Sequence, residues 1–414
     1  MPEPRGRRVV ANLLCEGEFE SLVQGSTGPP PRLALATATA AGSLLRVLAG
    51  PGDCLHLPAP LDPSRLPEIP GLPTPTLEAG PLDRLPQRTA VAWAETPAVA
   101  ASRRPGPPPE PPHESSPQRP LASRLWTTPP AEPATVAEVH HRRFHLRLAE
   151  ALGHALPGAT LLDSTDALGR HLAAGGADAG RGAWVVKAPF SAAGRGRVVH
   201  GPEPLAPTTR RRLDRLFTRH GELLFEPWMD RTEDFGMTAL VAPPSTGRAA
   251  TPLEPQLHRL HVDRHGQCTA IELLPGDGFS HIPAQGARTL RLTLDAAAEA
   301  LGRRRFSGPF GVDAWRFQHP NGALDLHPLG ELNARMTLGW VARLWREFLV
   351  FAGHLPADAP LRLVMGRADG PEPTRGHALV LLRAAADDPR RIWLEGRDLA
   401  VRPQPWENRR GYSS

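Results

Sequence analysis

Three short stretches carry side chains whose types and spacing suit chemistry on phosphate. In the first, Trp184-Val-Val-Lys-Ala-Pro-Phe-Ser191, an apolar run ends on Lys187. A small-residue loop of Ser191, Ala192, Ala193, Gly194, Arg195 and Gly196 follows. Small residues let backbone amides approach an anion, and lysine adds a compact, strongly hydrated charge beside them. No Gly-Lys-Ser/Thr closes this loop into a helix, so it is not the standard phosphate loop. The second stretch is Leu223-Leu-Phe-Glu-Pro-Trp-Met-Asp230. Here a strand runs into Glu226 and Pro227, and proline ends pairing, which would free the backbone at Trp228 and Met229 for a ligand. The third pairs Glu331-Leu-Asn333 with Asp313 in the neighbouring Gly-Val-Asp-Ala-Trp315. Residues i and i+2 of a strand share a face, so Glu331 and Asn333 point together while Leu332 faces the core. Two carboxylates and a carboxamide make an all-oxygen set, which suits Mg²⁺ on nucleotide phosphates rather than Zn²⁺. Arg335 lies two positions on, and its planar fork suits a phosphoryl oxygen.

Composition sharpens the first of these. The chain of 414 residues has 48 basic and 43 acidic side chains and a pI near 9.9. Of the basic residues, 47 are arginine and Lys187 is the single lysine. A GC-rich coding bias explains the skew, and most surface lysines can become arginine at little cost. A site needing a point charge cannot make that exchange. The excess of five positive charges therefore says little about nucleic acid, because the arginines are spread and interleaved with acids. Arg210–Arg212 and Arg303–Arg305 read as solvated helix faces. No apolar run reaches the roughly 18–20 residues of a membrane span. No secretory signal is expected, and the chain reads as cytoplasmic. Cys15, Cys54 and Cys268 are too scattered for a disulfide framework or a zinc cluster. His258, His261 and His265 read as ordinary surface histidines, the first two on opposite faces of a strand. No Gly-x-Ser-x-Gly elbow is present.

The elements that must position these residues follow from periodicity. Residues 1–100 alternate short strands (Arg8–Leu14, Asp53–Leu57, Ala90–Trp93) with a helix at Leu33–Leu48, the rhythm of an open α/β domain. No Gly-x-Gly-x-x-Gly follows the first strand, so no dinucleotide site is indicated. Residues 101–134 hold eleven prolines and read as a linker or excursion loop. The Thr135-Val-Ala-Glu138 capping box predicts a helix running to Gly153. A strand is expected at Thr160–Leu162 and helices at Asp166–Ala173 and Thr208–His220. Strands are predicted at Ala183–Lys187, Leu223–Phe225, Phe235–Val241, Gln256–Asp263, Cys268–Leu274, Gly311–Phe317 and Leu324–Leu332, with a turn at Arg264-His-Gly266. A short helix capped by Asp295 and an amphipathic helix at Thr337–Phe351 complete the body. Residues 361–414 read as a C-terminal β extension of three weak strands and a polar tail.

Taken in order, the lysine strand, small-residue loop, Glu-Pro-Trp hinge, Val-Asp strand and Glu-x-Asn-x-Arg resemble the ATP-grasp superfamily. The likeness covers roughly residues 135–352 and extends to a domain of 135–360, with 1–100 similar to the small α/β domain that often precedes it. The resemblance implies an ATP-grasp fold of the α/β (α+β) class with a preceding small open α/β domain. It implies that Lys187 binds the α/β-phosphates of ATP and that Ser191–Gly196 is the flap over the β/γ-phosphates. Glu226 would take the adenine amino group, with the backbone of Trp228 and Met229, and Glu233 or Asp234 the ribose. Asp313, Glu331 and Asn333 would ligate one or two Mg²⁺, or Mn²⁺, and Arg335 would contact the transferring phosphoryl. A second basic phosphate ligand, usual in the family, can only be arginine here; Arg142 and Arg143 are the candidates. The implied activity is an ADP-forming ligase joining a small-molecule carboxylate to an amine or thiol. The alternatives are a small-molecule kinase and a non-catalytic nucleotide-binding scaffold.

Overall fold

A computed structural model describes the chain apart from residues 1–5, 26–27, 105–119, 192–195, 244–249, 264–266, 320, 368, 371–376 and 401–414. Three sheets organise it. The first is parallel, from β1 (Arg8–Val10), β2 (Cys54–Leu57), β3 (Thr76–Ala79) and β4 (Ala90–Ala92), in the order β3-β2-β1-β4. Strands β1, β2 and β4 are covered on both faces. Val9, Leu55 and Val91 enter the main core, while Val10 and Ala92 pack on Leu82 and Val99. That is why these strands read as continuous apolar runs. β3 escapes such a reading because it is a half-exposed edge strand with one large apolar side chain, Leu77, flanked by Thr76 and Glu78. The helix after β1 spans Cys15–Gln24, and Arg32–Gly42 continues as a tighter helical turn through Leu48.

The second sheet is antiparallel: β5 (Thr160–Leu162), β6 (Trp184–Lys187), β7 (Arg197–His200) and β8 (Leu223–Pro227), in the order β5-β8-β6-β7. Its two faces differ. Trp184, Val186, Leu223 and Phe225 pack on Leu168, Leu213 and Phe217 from the helices Thr165–Ala173 and Pro207–His220. Lys187 and Glu226 lie on the other face, a diagonal cross-strand pair, since Lys187 stands opposite Leu224.

The third sheet has eight strands: β9 (Asp230–Val241), β10 (Pro252–Val262), β11 (Cys268–Leu273), β12 (Gly308–Gln318), β13 (Leu324–Asn333), β14 (Leu361–Arg367), β15 (Ala378–Leu382) and β16 (Arg390–Glu395). The last three complete the large sheet, since β14 pairs with β11 and β16 joins β14 to β15.

Three further expectations are corrected. The second half of the proline-rich segment is packed: a helix at Pro120–Thr127 buries Leu121, Leu125 and Trp126. Its first amides, Leu121 N and Ala122 N, donate to the Glu347 carboxylate at 2.6 and 3.1 Å, which supplies the cap proline cannot. The helix placed near Asp295 runs from Ala284 to Arg303, behind Pro283, with Leu290, Leu294, Ala297 and Leu301 buried. The expected capping box does not start a helix either. Pro133 does, and the helix Pro133–His140 is broken from a second, Arg142–Ala151, by extended backbone at His141.

Candidate functional site

The break at His141 shapes the site. Arg142 N donates to Pro189 O at 3.2 Å, and the His141 ring caps Arg143 N. This aims the Arg142 guanidinium at the strand end after Lys187. Its Nε donates to Ala188 O (3.0 Å), and its Nη2 reaches Ser191 Oγ (3.0 Å) and Glu331 Oε1 (3.3 Å). Arg143 turns outward to Glu222 and is half-exposed. Of the two arginines, the fold brings Arg142 to Lys187 and Glu331.

Lys187 and Glu226 form a buried ion pair. Burial alone would raise the Glu226 carboxyl, but Lys187 and His145 outweigh it and hold it at about 2. The Glu226 carboxylate therefore answers the lysine within its own sheet rather than reaching out at the hinge. Beyond Pro227 only Trp228 and Met229 separate β8 from β9, because β9 starts at Asp230, earlier than expected. The Trp228 amide is not free: it donates to Ala183 O at 2.9 Å. Met229 is buried with Leu156, Trp315 and Phe317.

Across the cleft, Asp313 stands opposite Glu331 and Gly311 opposite Asn333 in the β12–β13 ladder. The three oxygen side chains thus share a face. Burial and the facing Glu331 push the Asp313 carboxyl up to about 7. Asp234 sits on the same face, opposite Trp315, and accepts from Arg231 at 3.2 Å. Glu233 falls on the other face and pairs with Arg259 and Arg316. Ala192, Ala193, Gly194 and Arg195 of the small-residue loop lie outside the described residues, between Ser191 and Gly196.

Arg335 is buried and meets Glu16 Oε1 at 3.2 Å, and its guanidinium stands 5.5 Å over the Trp93 ring. Glu16 belongs to the helix after β1, so an N-terminal helix places a carboxylate beside Arg335 that no local pattern announced. Two other residues were missed, His145 and His327. Both are buried beside Lys187 and Glu226, and burial lowers them to about 4 and about 3, so they are neutral imidazoles. His145 Nδ1 and His327 Nε2 find no hydrogen-bond partner among the described residues. The expected surface character of His258 is also corrected. It is buried where Gly236 and Gly339 leave room for its ring, while His261 pairs with Glu272 at 3.0 Å. His265 is outside the described residues. Among the described residues no set of three or more His, Cys, Asp or Glu side chains could hold a metal ion. No helix among them is long and apolar enough to cross a membrane.

No family model matches the sequence, and no curated protein does. Solved structures do match. N5-carboxyaminoimidazole synthetase from Staphylococcus aureus, complexed with ADP, superposes with a TM-score of 0.50 at 10% identity, covering 96% of this chain and 93% of that one. The chain shares the fold of that synthetase. N5-carboxyaminoimidazole ribonucleotide synthetase from Thermus thermophilus is similar at a TM-score of 0.48 and 15% identity over 94% of this chain and 93% of that one. A putative ATP-grasp superfamily protein from Archaeoglobus fulgidus is similar at 0.46 and 10%, over 94% and 99%. In this chain Lys187 and Arg142 lie beside the carboxylates of the large sheet.

Proposed function

We propose that the chain is an ATP-dependent ligase that activates a carboxylate as an acyl phosphate and joins it to an amine, releasing ADP and phosphate. The observation that carries this reading is the convergence of Lys187, Arg142 and Ser191 on the Asp313–Glu331–Asn333 face. Two cations from separate elements and an oxygen set make a place for a triphosphate and its metal. In this reading Lys187 and Arg142 hold phosphate oxygens, with the Ser191 hydroxyl beside Arg142. Asp234 is better placed than Glu233 for the ribose. With the Glu226 carboxylate committed to Lys187, contact with the adenine amino group falls to the hinge backbone. ADP in the Staphylococcus aureus relative supports the same reading.

The oxygen set fits Mg²⁺. Asp313 and Glu331 face each other, one carboxyl is pushed up by the other, and a divalent cation would relieve that repulsion. Mg²⁺ commonly takes one or two carboxylates and completes its shell with phosphates and water, so the missing third carboxylate does not count against it. When bound, the cation would neutralise phosphate charge. The chain's own residues do the rest. Lys187, Arg142 and Arg335 fix the phosphoryl group and offset charge as it moves. A carboxylate oxygen attacks the γ-phosphorus and ADP leaves. The amine nitrogen then attacks the acyl carbon, expels phosphate and loses its proton. The buried neutral imidazoles and Trp315 exclude water that would hydrolyse the acyl phosphate.

One observation favours a non-catalytic nucleotide-binding scaffold: each of the two cations is already paired with a carboxylate of the cleft, Lys187 with Glu226 and Arg142 with Glu331. ADP release separates the readings. Pooled acids and amines with Mg-ATP should release ADP from the wild type and not from Lys187→Ala. Hydroxylamine should trap an acyl hydroxamate when the amine is omitted. Mg-ATP binding without any ADP release across the pools supports the scaffold. A product that forms without an amine and resists hydroxylamine supports a kinase.

A further inference from the structure

The charged site is shut in this structure. The space bounded by His140, Arg142, His145, Ser191 and Glu331 is about 10 Å³, roughly what one water needs. Lys187 is 7% exposed. Any phosphate ligand therefore requires part of the chain to move, and the small sheet is built to do so. With the helices Thr165–Ala173 and Pro207–His220 it packs its own apolar core. Leu168, Trp184, Leu213, Phe217 and Phe225 belong to that core, and none of its members belongs to the main one. A unit with its own core can shift as a body once its surface ties release.

A buried tie outside the site runs to the helix Cys15–Gln24. That helix buries Glu16, Phe19 and Glu20 at the spacing of one face. Glu20 accepts both bonds of the Arg219 fork, from Nε at 2.8 Å and from Nη2 at 3.0 Å. His220 Nδ1 stands 3.2 Å from Glu20 Oε1, and Gln24 Nε2 donates to His220 O at 3.2 Å. Arg219 and His220 close the last turn of the Pro207–His220 helix. One turn before Glu20, Glu16 meets Arg335, two residues past Asn333. Phe19, between them, packs on the rings of His140 and Phe190. One ten-residue helix thus grips both the small sheet and the strand end that carries Glu331 and Asn333. Other ties are exposed or long: Arg143 with Glu222, and Arg181 Nη2 with His319 O at 3.4 Å. Arg142 also reaches Ala188 O and Ser191 Oγ, but inside the site, where an incoming phosphate competes for it. The Glu20 pair suits reversible use. The Arg219 side chain is 56% exposed, and release returns a buried carboxylate to water, which offsets much of the lost attraction.

We propose that the helix Cys15–Gln24 is a strap holding the site shut, with the Glu20–Arg219 pair as its catch, and that access to Lys187 requires the catch to release. The inference deepens the ligase reading by giving its site a gate. It rests on that reading for what enters, though not for the gate itself.

Lys187 is the only lysine, so amine labelling of the full chain tests the gate without nucleotide. Acetylation of Lys187 by an N-hydroxysuccinimide ester, followed by mass spectrometry, should run about fivefold or more faster in Arg219→Ala and in Glu20→Gln than in the wild type. The double variant should match the singles, because the same catch is lost. Buried Cys54, in the parallel sheet, should stay as resistant to thiol reagents as in the wild type, which separates opening from global unfolding. Arg143→Ala should label at the wild-type rate. Should Glu20→Gln fail to fold, the exposed Arg219 position still carries the test. Wild-type labelling in Arg219→Ala overturns the proposal, as does equal acceleration in Arg143→Ala. The two readings fail separately. Faster labelling in Arg219→Ala, with no protection by Mg-ATP in any variant, keeps the strap and defeats the nucleotide reading. Protection by Mg-ATP, with Arg219→Ala labelled at the wild-type rate, keeps the nucleotide reading and defeats the strap.

Discussion

Two regions of this chain bury charge, and they do so differently. Arg65, in the short helical turn Pro63–Arg65, reaches the C-terminal strands. Its Nε donates to Arg383 O (2.9 Å), Nη1 to Asp388 Oδ2 (2.7 Å) and Nη2 to Arg390 O (3.1 Å). Asp388 Oδ1 in turn meets Arg390 Nε at 2.7 Å. Every nitrogen of Arg65 is occupied, and the knot ties the turn at Pro63–Arg65 to the end of the large sheet. The cleft is the opposite case. Two carboxylates face each other, two imidazoles have a nitrogen without a partner among the described residues, and Arg335 Nε has none there either. Buried polar groups are normally satisfied, and in the proposed reading a nucleotide and its metal complete the under-satisfied set of the cleft. Burial of charge alone would not have distinguished the two.

The largest effect should come from neutralising the cleft pair. Lys187→Met with Glu226→Gln should cut ADP release by about a thousandfold or more. Stability should hold, because replacing both partners of a buried pair is often neutral. Calorimetric melting and single-turnover assays on the double variant check both halves. The knot should do the reverse. Arg65→Ala leaves Asp388 Oδ2 and two carbonyls without their donor while Arg390 still pairs with Asp388 Oδ1, and it should cost about 1–3 kcal/mol in chemical denaturation, with kcat unchanged.

Asp388 adds a pH signature. Burial would raise its carboxyl, but hydrogen bonds from Arg65 and Arg390 hold it below the usual range. A carboxyl depressed in the folded state stabilises above its unfolded pKa, near 4, and that contribution is lost as pH falls through the lower folded value. Asp388→Asn should therefore be less stable at neutral pH and lose less stability on acidification below about pH 4. Urea melts across that range would show it. The smallest effect belongs to Arg143→Ala. Its exposed pair with Glu222 should be worth under about 0.5 kcal/mol and leave ADP release intact. Arg142→Ala, one residue away, should raise the KM for ATP about tenfold or more.

How much of this was legible in the sequence depends on whether the signal is local. Lys187 stood out because a composition drained of lysine kept one at a strand end beside small residues. Asp313, Glu331 and Asn333 followed from the two-residue period of strands, and the register places them on one face. Arg142 could not be told from Arg143, because the choice depends on a helix break that Pro189 O and the His141 ring stabilise from outside the helix. Glu16, His145 and His327 had no signal. They reach the cleft from three distant segments, and each looks like an ordinary surface polar residue in its own window. The same limit hid the edge strand β3 and the packed helix of the proline-rich segment, whose Trp126 is buried by residues far along the chain.

The central claim is that Lys187 serves a nucleotide phosphate and not the fold. Lys187→Arg tests it most directly, by Mg-ATP-dependent ADP release alongside thermal melting. Arginine keeps the charge opposite Glu226 but replaces a compact ammonium with a wide fork. The account predicts a native melting transition with turnover largely lost. Wild-type turnover in that variant would contradict it.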